Sequence, residues 1–121
     1  MSKILIADDD QGMVTILAHI LRAEGYDFDI VRDGLSARDK ALSGGYDALI
    51  FDMHMPGMKG LDVLGILRAA TPPVETPAIL LSGSSPDEFL EPVQSLKRVQ
   101  FMEKPFDLER LLAAIEDCVK K

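Results

Sequence analysis

Six polar residues carry the chemical potential of this sequence: the acidic run Asp8-Asp9-Asp10, then Asp52, Ser82 and Lys104. Each follows a short apolar run: Lys3 to Ala7 before the acids, Tyr46 to Phe51 before Asp52, Ala78 to Leu81 before Ser82, and Val99 to Met102 just ahead of Lys104. Such runs read as buried strands of a parallel sheet. Open parallel sheets bind ligands beyond the carboxyl ends of their strands, so these side chains should converge on one rim. Crowded carboxylates repel one another, and unpartnered ones hold their protons. A divalent cation relieves the repulsion, and a donor set of oxygens alone suits Mg²⁺ (or Mn²⁺) better than zinc. Lysine adds a movable positive charge and serine a short hydroxyl donor. Together they offer what a phosphoryl group needs: neutralised charge, oriented oxygens and a carboxylate able to act as nucleophile.

The elements that must position this set alternate along the chain. A helix starts near Asp10, which caps its first turn, carries Met13, Val14, Leu17, Ile20 and Leu21 on one face, and stops at Gly25. Asp27 to Val31 reads as a second strand, and Asp33-Gly34 opens a helix over Leu35 to Leu42 that Gly44-Gly45 closes. A turn-rich stretch, Met53 to Gly60, leads to a third helix with Leu61, Leu64 and Leu67 at spacing three. The prolines between Thr71 and Pro77 exclude helix there. Ser82 to Ser85 is a small-residue loop, and Pro86 begins a fourth helical segment that Pro92 interrupts. Asp107 caps a last helix with Leu108, Leu111, Leu112, Ile115 and Val119 on one stripe. Five buried strands alternating with five helices predict one α/β domain, residues 1–121, around a parallel sheet with right-handed crossovers.

Composition narrows the function classes. With 47% hydrophobic and 27% charged residues, the 121-residue chain is ordinary for a globular domain. Thirteen basic against 20 acidic residues leave a net charge of −7, which repels nucleic acid phosphates, so no direct nucleic acid binding is expected. No apolar run is long enough for a membrane span, no signal peptide precedes the first strand, and the lone Cys118 implies no disulfide. A cytoplasmic location follows as an expectation, with Cys118 a small buried hydrophobe.

The sequence resembles the receiver domains of two-component response regulators, close to the single-domain chemotaxis type. Four motifs carry the resemblance in order and spacing: Ile4 to Asp10, Phe51-Asp52 through Pro56-Gly57 to Gly60, Leu81-Ser82-Gly83 and Lys104-Pro105-Phe106. It implies a flavodoxin-like doubly wound sheet of five parallel strands in the order 2-1-3-4-5, with five helices. Asp52 then resembles the phosphoacceptor, taking the phosphoryl group from a histidine kinase or phosphotransfer protein. Asp9 resembles a direct Mg²⁺ ligand and Asp8 one acting through water, with Asp52 and the backbone carbonyl of His54 also in the metal set. Lys104 corresponds to the lysine that pairs with the acceptor, after a cis peptide to Pro105. Ser82 corresponds to the hydroxyl that swings to the phosphoryl group. Phe101 corresponds to the aromatic switch position, a role compatible with ordinary core packing. His54 and Ser84 occupy positions that tune the acyl phosphate's lifetime. The resemblance implies a signalling switch rather than an enzyme, with self-catalysed phosphorylation and slow autodephosphorylation. The surface of the fourth helix, fifth strand and fifth helix would bind a downstream protein target, as a monomer or a phosphorylation-dependent dimer.

Rival readings fit the residues less well. A flavodoxin needs a Ser/Thr-rich phosphate loop where three Asp stand, and no dinucleotide-binding or P-loop glycine pattern occurs. A haloacid-dehalogenase-type phosphatase wants a second Asp two residues beyond its nucleophile, where this chain has His54, and a cap for which there is no room. An unphosphorylated pseudo-receiver module should lack one of Asp8, Asp9, Asp52, Ser82 or Lys104, and all five are present. The chain is either a stand-alone regulator or the receiver of a longer one.

Overall fold

Asp10, Asp33 and Asp107 each start a helix by accepting amide protons of the first turn, which otherwise lack partners. In the computed structural model, which describes residues 2–83 and 96–120, Asp10 accepts from the Gly12 amide at 2.9 Å and opens α1 (Gln11–Ala23). Asp33 accepts from the Ser36 amide at 2.8 Å and opens α2 (Gly34–Ser43). Asp107 accepts from the Glu109 amide at 3.2 Å and opens the last helix, α4 (Leu108–Val119). The third helix, α3 (Gly60–Ala69), has no such side-chain cap. Gly25, at φ +82°, takes the left-handed turn after α1 that a side chain would disfavour.

Five strands, β1 (Lys3–Ala7), β2 (Asp27–Val31), β3 (Ala48–Asp52), β4 (Ala78–Ser82) and β5 (Val99–Glu103), pair in parallel in the order β2-β1-β3-β4-β5. Alternate residues of the central strands serve opposite faces. Leu5, Leu49, Phe51 and Leu80 pack with Ala37 and Ala41 of α2 and Val63, Leu64 and Leu67 of α3. Ile4, Ile6, Ile50, Ile79 and Leu81 pack with Leu17 and Leu21 of α1 and Leu111 and Ile115 of α4. Helices on both faces explain why these strands are apolar without alternation.

Four expectations need correction. The edge strands β2 and β5 are only partly covered, because each has one strand neighbour instead of two. Tyr46 and Asp47 precede β3 rather than joining it: the Tyr46 hydroxyl donates to Asp29 at 2.6 Å, and Asp47 accepts from the Lys3 amide at 2.9 Å. In α4 the buried stripe is Leu111, Ala114, Ile115 and Cys118, while Leu108 is 48% exposed. The small Ala114 and Cys118 let the helix lie close to the sheet, which turns Leu108 outward. The strands β4 and β5 each run one residue further than expected, to Ser82 and Glu103. The fourth helical segment with Pro92, and Ser84, lie outside the described residues. The Lys104–Pro105 peptide is cis, as the resemblance implies, and so is Thr71–Pro72.

Arg68, in the last turn of α3, fastens the end of the sheet remote from the acids. Its guanidinium donates to the carbonyls of Lys97 (2.9 Å), Val74 (2.8 Å) and Thr76 (2.7 Å), and reaches that of Arg98 at 3.4 Å. Two loops that lead into β4 and β5 are thus joined through one side chain. Burial lowers its pKa, yet arginine keeps its proton throughout the ordinary pH range. Arg68→Ala should cost about 2 to 3 kcal/mol in urea unfolding, since several carbonyls lose a charged donor together. Arg68→Lys should recover less than half, because an ammonium cannot reproduce the planar fork.

Candidate functional site

The three acids after β1 have different surroundings. The Asp8 amide donates to the Val31 carbonyl at 3.1 Å, which turns its carboxylate inward, where Oδ1 accepts from the Asp10 amide at 2.9 Å. Asp8 is 1% exposed, Asp9 is exposed, and Asp10 is taken up in capping α1. Asp52 closes β3 at 7% exposure, and Ser82 closes β4 fully buried. Lys104 directly follows β5, where its amide donates to the Ser82 carbonyl at 2.7 Å. That bond aligns the end of β5 with β4, and the lysine side chain crosses the rim. Its Nζ lies 2.9 Å from Asp52 Oδ1 and 3.4 Å from Asp8 Oδ2.

The loop after β3 is held equally closely. The Met53 amide donates to the Leu81 carbonyl at 2.7 Å, and the Gly60 amide to the Met53 carbonyl at 3.0 Å. The start of α3 therefore packs directly on the backbone of Asp52. His54 stands exposed in this loop. Phe101 is half-buried on β5, packed against the core on the α2–α3 face, so the packing half of its expected role is met.

Carboxylate oxygens of Asp8, Asp9 and Asp52 all lie within 4.8 Å of one another. One ammonium cannot balance three such charges, so the set fits a hard divalent cation with oxygen ligands. Burial pushes the Asp52 carboxyl above its ordinary value, helped by the charges of Asp8 and Asp9 and opposed by Lys104. Burial also works against the Lys104 ammonium, but the Asp52 and Asp8 carboxylates outweigh it and raise its pKa. Without a metal, lysine is the counter-charge that lets these acids remain together.

Residues 4–116 match the family described as the response regulator receiver domain. This chain belongs to that family. The receiver domain is 35% identical to response regulator ArlR of Staphylococcus epidermidis, a match over 100% of this chain and 54% of that protein. The chain thus spans about half the length of the curated relatives it matches. Its structure resembles that of the chemotaxis response regulator CheY4 of Vibrio cholerae, with 28% identity, a TM-score of 0.85 and 98% of both chains covered. It also resembles TrrA of Thermotoga maritima, solved in complex with Mg²⁺-BeF, with 30% identity, a TM-score of 0.84, and 98% of this chain and 99% of that one covered. As a receiver domain of the two-component response regulators, the protein works in that signalling system.

The structure brings Asp8, Asp9, Asp52, Ser82 and Lys104 to one rim, with His54 beside it and Phe101 on β5, three residues before Lys104; Ser84 lies outside the described residues. Sequence reasoning passed over Arg32, which reaches the Asp9 carbonyl at 3.4 Å. The strand-end rule, applied also to the second strand, would have found it, because Arg32 directly follows β2. Among the described residues, no helix is long and apolar enough to cross a membrane.

Proposed function

We propose that this receiver domain is a phosphorylation switch in which Asp52 accepts a phosphoryl group from the phosphohistidine of a histidine kinase or phosphotransfer protein. The reading rests on one arrangement: Lys104 Nζ 2.9 Å from Asp52, beside three carboxylates within 4.8 Å. The likeness to TrrA, solved with Mg²⁺-BeF, supports it.

Asp52 is the only one of the three acids that ends a strand at the middle of the sheet, and Met53, the next residue, is hydrogen-bonded to both β4 and α3. An Asp52 carboxylate oxygen forms a bond to phosphorus as the phosphorus–nitrogen bond of the donor breaks, and the electron pair leaves with the imidazole. The product is an acyl phosphate. Asp8, Asp9, Asp52 and the His54 carbonyl are the groups that would hold Mg²⁺, which when bound supplies the positive charge that screens phosphoryl oxygens from the acids. Lys104 stays charged at neutral pH and transfers its hydrogen bond from the Asp52 carboxylate to the phosphoryl oxygens. The Ser82 hydroxyl, at the next strand end, is the donor for another of those oxygens. Phosphorylation replaces the single charge of the Asp52 carboxylate with a phosphoryl group that carries about 1.5 to 2, and only the difference in affinity between two conformations can move the equilibrium. The readout is the surface to which β5 and α4 contribute, with Phe101 as the coupled aromatic and a downstream protein as partner. His54 and Ser84 set how fast water removes the group.

Intact mass after incubation with acetyl phosphate tests this directly. Wild type should gain one phosphoryl group only when Mg²⁺ is present, and Asp52→Asn should gain none. No gain in wild type, with no beryllofluoride binding either, would leave a phosphorylation-independent interaction module.

A further inference from the structure

The three acids of the site are not equally supported. Asp8 has the Asp10 amide and Lys104, and Asp52 has Lys104 and the strand. Asp9 is exposed, and what braces its backbone comes from the residue after β2 and the first residue of α1. Arg32 Nη2 reaches the Asp9 carbonyl at 3.4 Å, while Nη1 donates to Gln11 Oε1 at 2.9 Å. Gln11 is itself held: its Nε2 donates to Thr15 Oγ1 at 3.1 Å, and that hydroxyl donates to the Gln11 carbonyl at 2.9 Å. The amide of Gln11 therefore has both ends occupied, and its oxygen is the end that faces the arginine.

We infer that Arg32, braced by Gln11, is a positioning residue that fixes the acidic loop so that Asp9 is presented to the divalent cation. This rests on the reading of Asp8, Asp9 and Asp52 as the metal set. The guanidinium is suited to the task because its planar fork satisfies two acceptors at once, one on the first turn of α1 and one on the loop. A carbonyl held from outside limits the rotation of the Asp9 backbone and lowers the entropy lost when the cation orders its carboxylate. A purely electrostatic cation at the same place would act oppositely, since a positive charge beside the site repels Mg²⁺.

Calorimetric titration of the unphosphorylated protein with MgCl₂ separates these. Arg32→Met should weaken Mg²⁺ binding by about tenfold, the lower end of what losing an outer-sphere partner costs a metal site. Gln11→Ala keeps the arginine's charge and should weaken binding similarly, and the double variant should be no worse than either, as expected for one coupled unit. Arg32→Lys keeps the charge without the fork and should resemble Arg32→Met. With acetyl phosphate, the Mg²⁺ concentration for half-maximal phosphorylation should rise while the maximal rate holds, and melting in EDTA should not change. Tighter or unchanged Mg²⁺ binding in Arg32→Met, or a silent Gln11→Ala, overturns the inference. Wild type that binds no Mg²⁺ overturns the metal reading and this inference with it. Wild type that binds Mg²⁺ but gains no phosphoryl group overturns only the acceptor role of Asp52, and titration still decides for Arg32.

Discussion

Lys104→Met should destabilise the metal-free protein by about 3 kcal/mol at neutral pH, the cost expected when one member of a buried ion pair is removed. Its side chain is 19% exposed and lies between two nearly inaccessible carboxylates, so water cannot replace the lost charge fully. The pH dependence follows from the sign of the Asp52 shift. Burial already raises that carboxyl, so the folded protein binds a proton that the unfolded chain has released. Stability therefore falls as pH rises from the ordinary carboxylate value through the raised one. The ammonium opposes this in wild type, and removing it moves the upper end of the window higher. At pH 4 the variant should approach wild type, and the gap should open toward pH 7.5. The raised Lys104 pKa means wild type keeps its advantage up to at least the ordinary lysine range. Urea unfolding in EDTA at both pH values measures the gap, and Mg²⁺ should close most of it. Equal losses at the two pH values would mean that the lysine contributes only the packing of its methylenes.

Gly60→Ala should be as damaging, by a steric route. A Cβ on Gly60 would stand 2.3 Å from the Asp52 carbonyl oxygen and 2.9 Å from Leu80 Cδ1. Leu80 can give a little, but the backbone of β3 cannot move without shifting Asp52. We expect a loss of about 3 kcal/mol in urea unfolding, at the upper end for overpacking, together with weaker Mg²⁺ binding. Gly65 in the same helix is the control, since a Cβ there meets nothing within 4 Å. Gly65→Ala should stabilise by about 0.5 to 1 kcal/mol through helix propensity and leave Mg²⁺ binding unchanged. If both variants behaved alike, helix content rather than the approach to Asp52 would be the cause.

What the sequence revealed and what it hid divide along a physical line. Features set within a few residues were legible: the apolar strands, the Asp10 cap and the glycine after α1. The site was legible for a related reason, because parallel strands place their ends on one rim and the residues after them need only be read off. Features that depend on packing distance were not. The helical spacing of the apolar residues sets Leu108 on the buried stripe of the last helix, yet Ala114 and Cys118, the latter already legible as a small buried residue, are what let the helix approach the sheet. Arg68 reads as an ordinary surface charge at a helix end, since the carbonyls it joins come from loops without a sequence signature. Tyr46 reads as part of an apolar run, while its hydroxyl finds Asp29 on another strand, and burial and that carboxylate push its pKa up to about 12.

The ion pair between Lys104 and Asp8 joins residues 96 positions apart, and the lysine directly follows the fifth of the sheet's five strands in chain order. A chain interrupted between residues 52 and 104 carries all three carboxylates and lacks the ammonium that sits among them. Its acids would repel one another unless a cation stood between them. Completion of β5 at the sheet's margin is thus the event that brings a counter-charge to an acidic edge assembled from the strands before it.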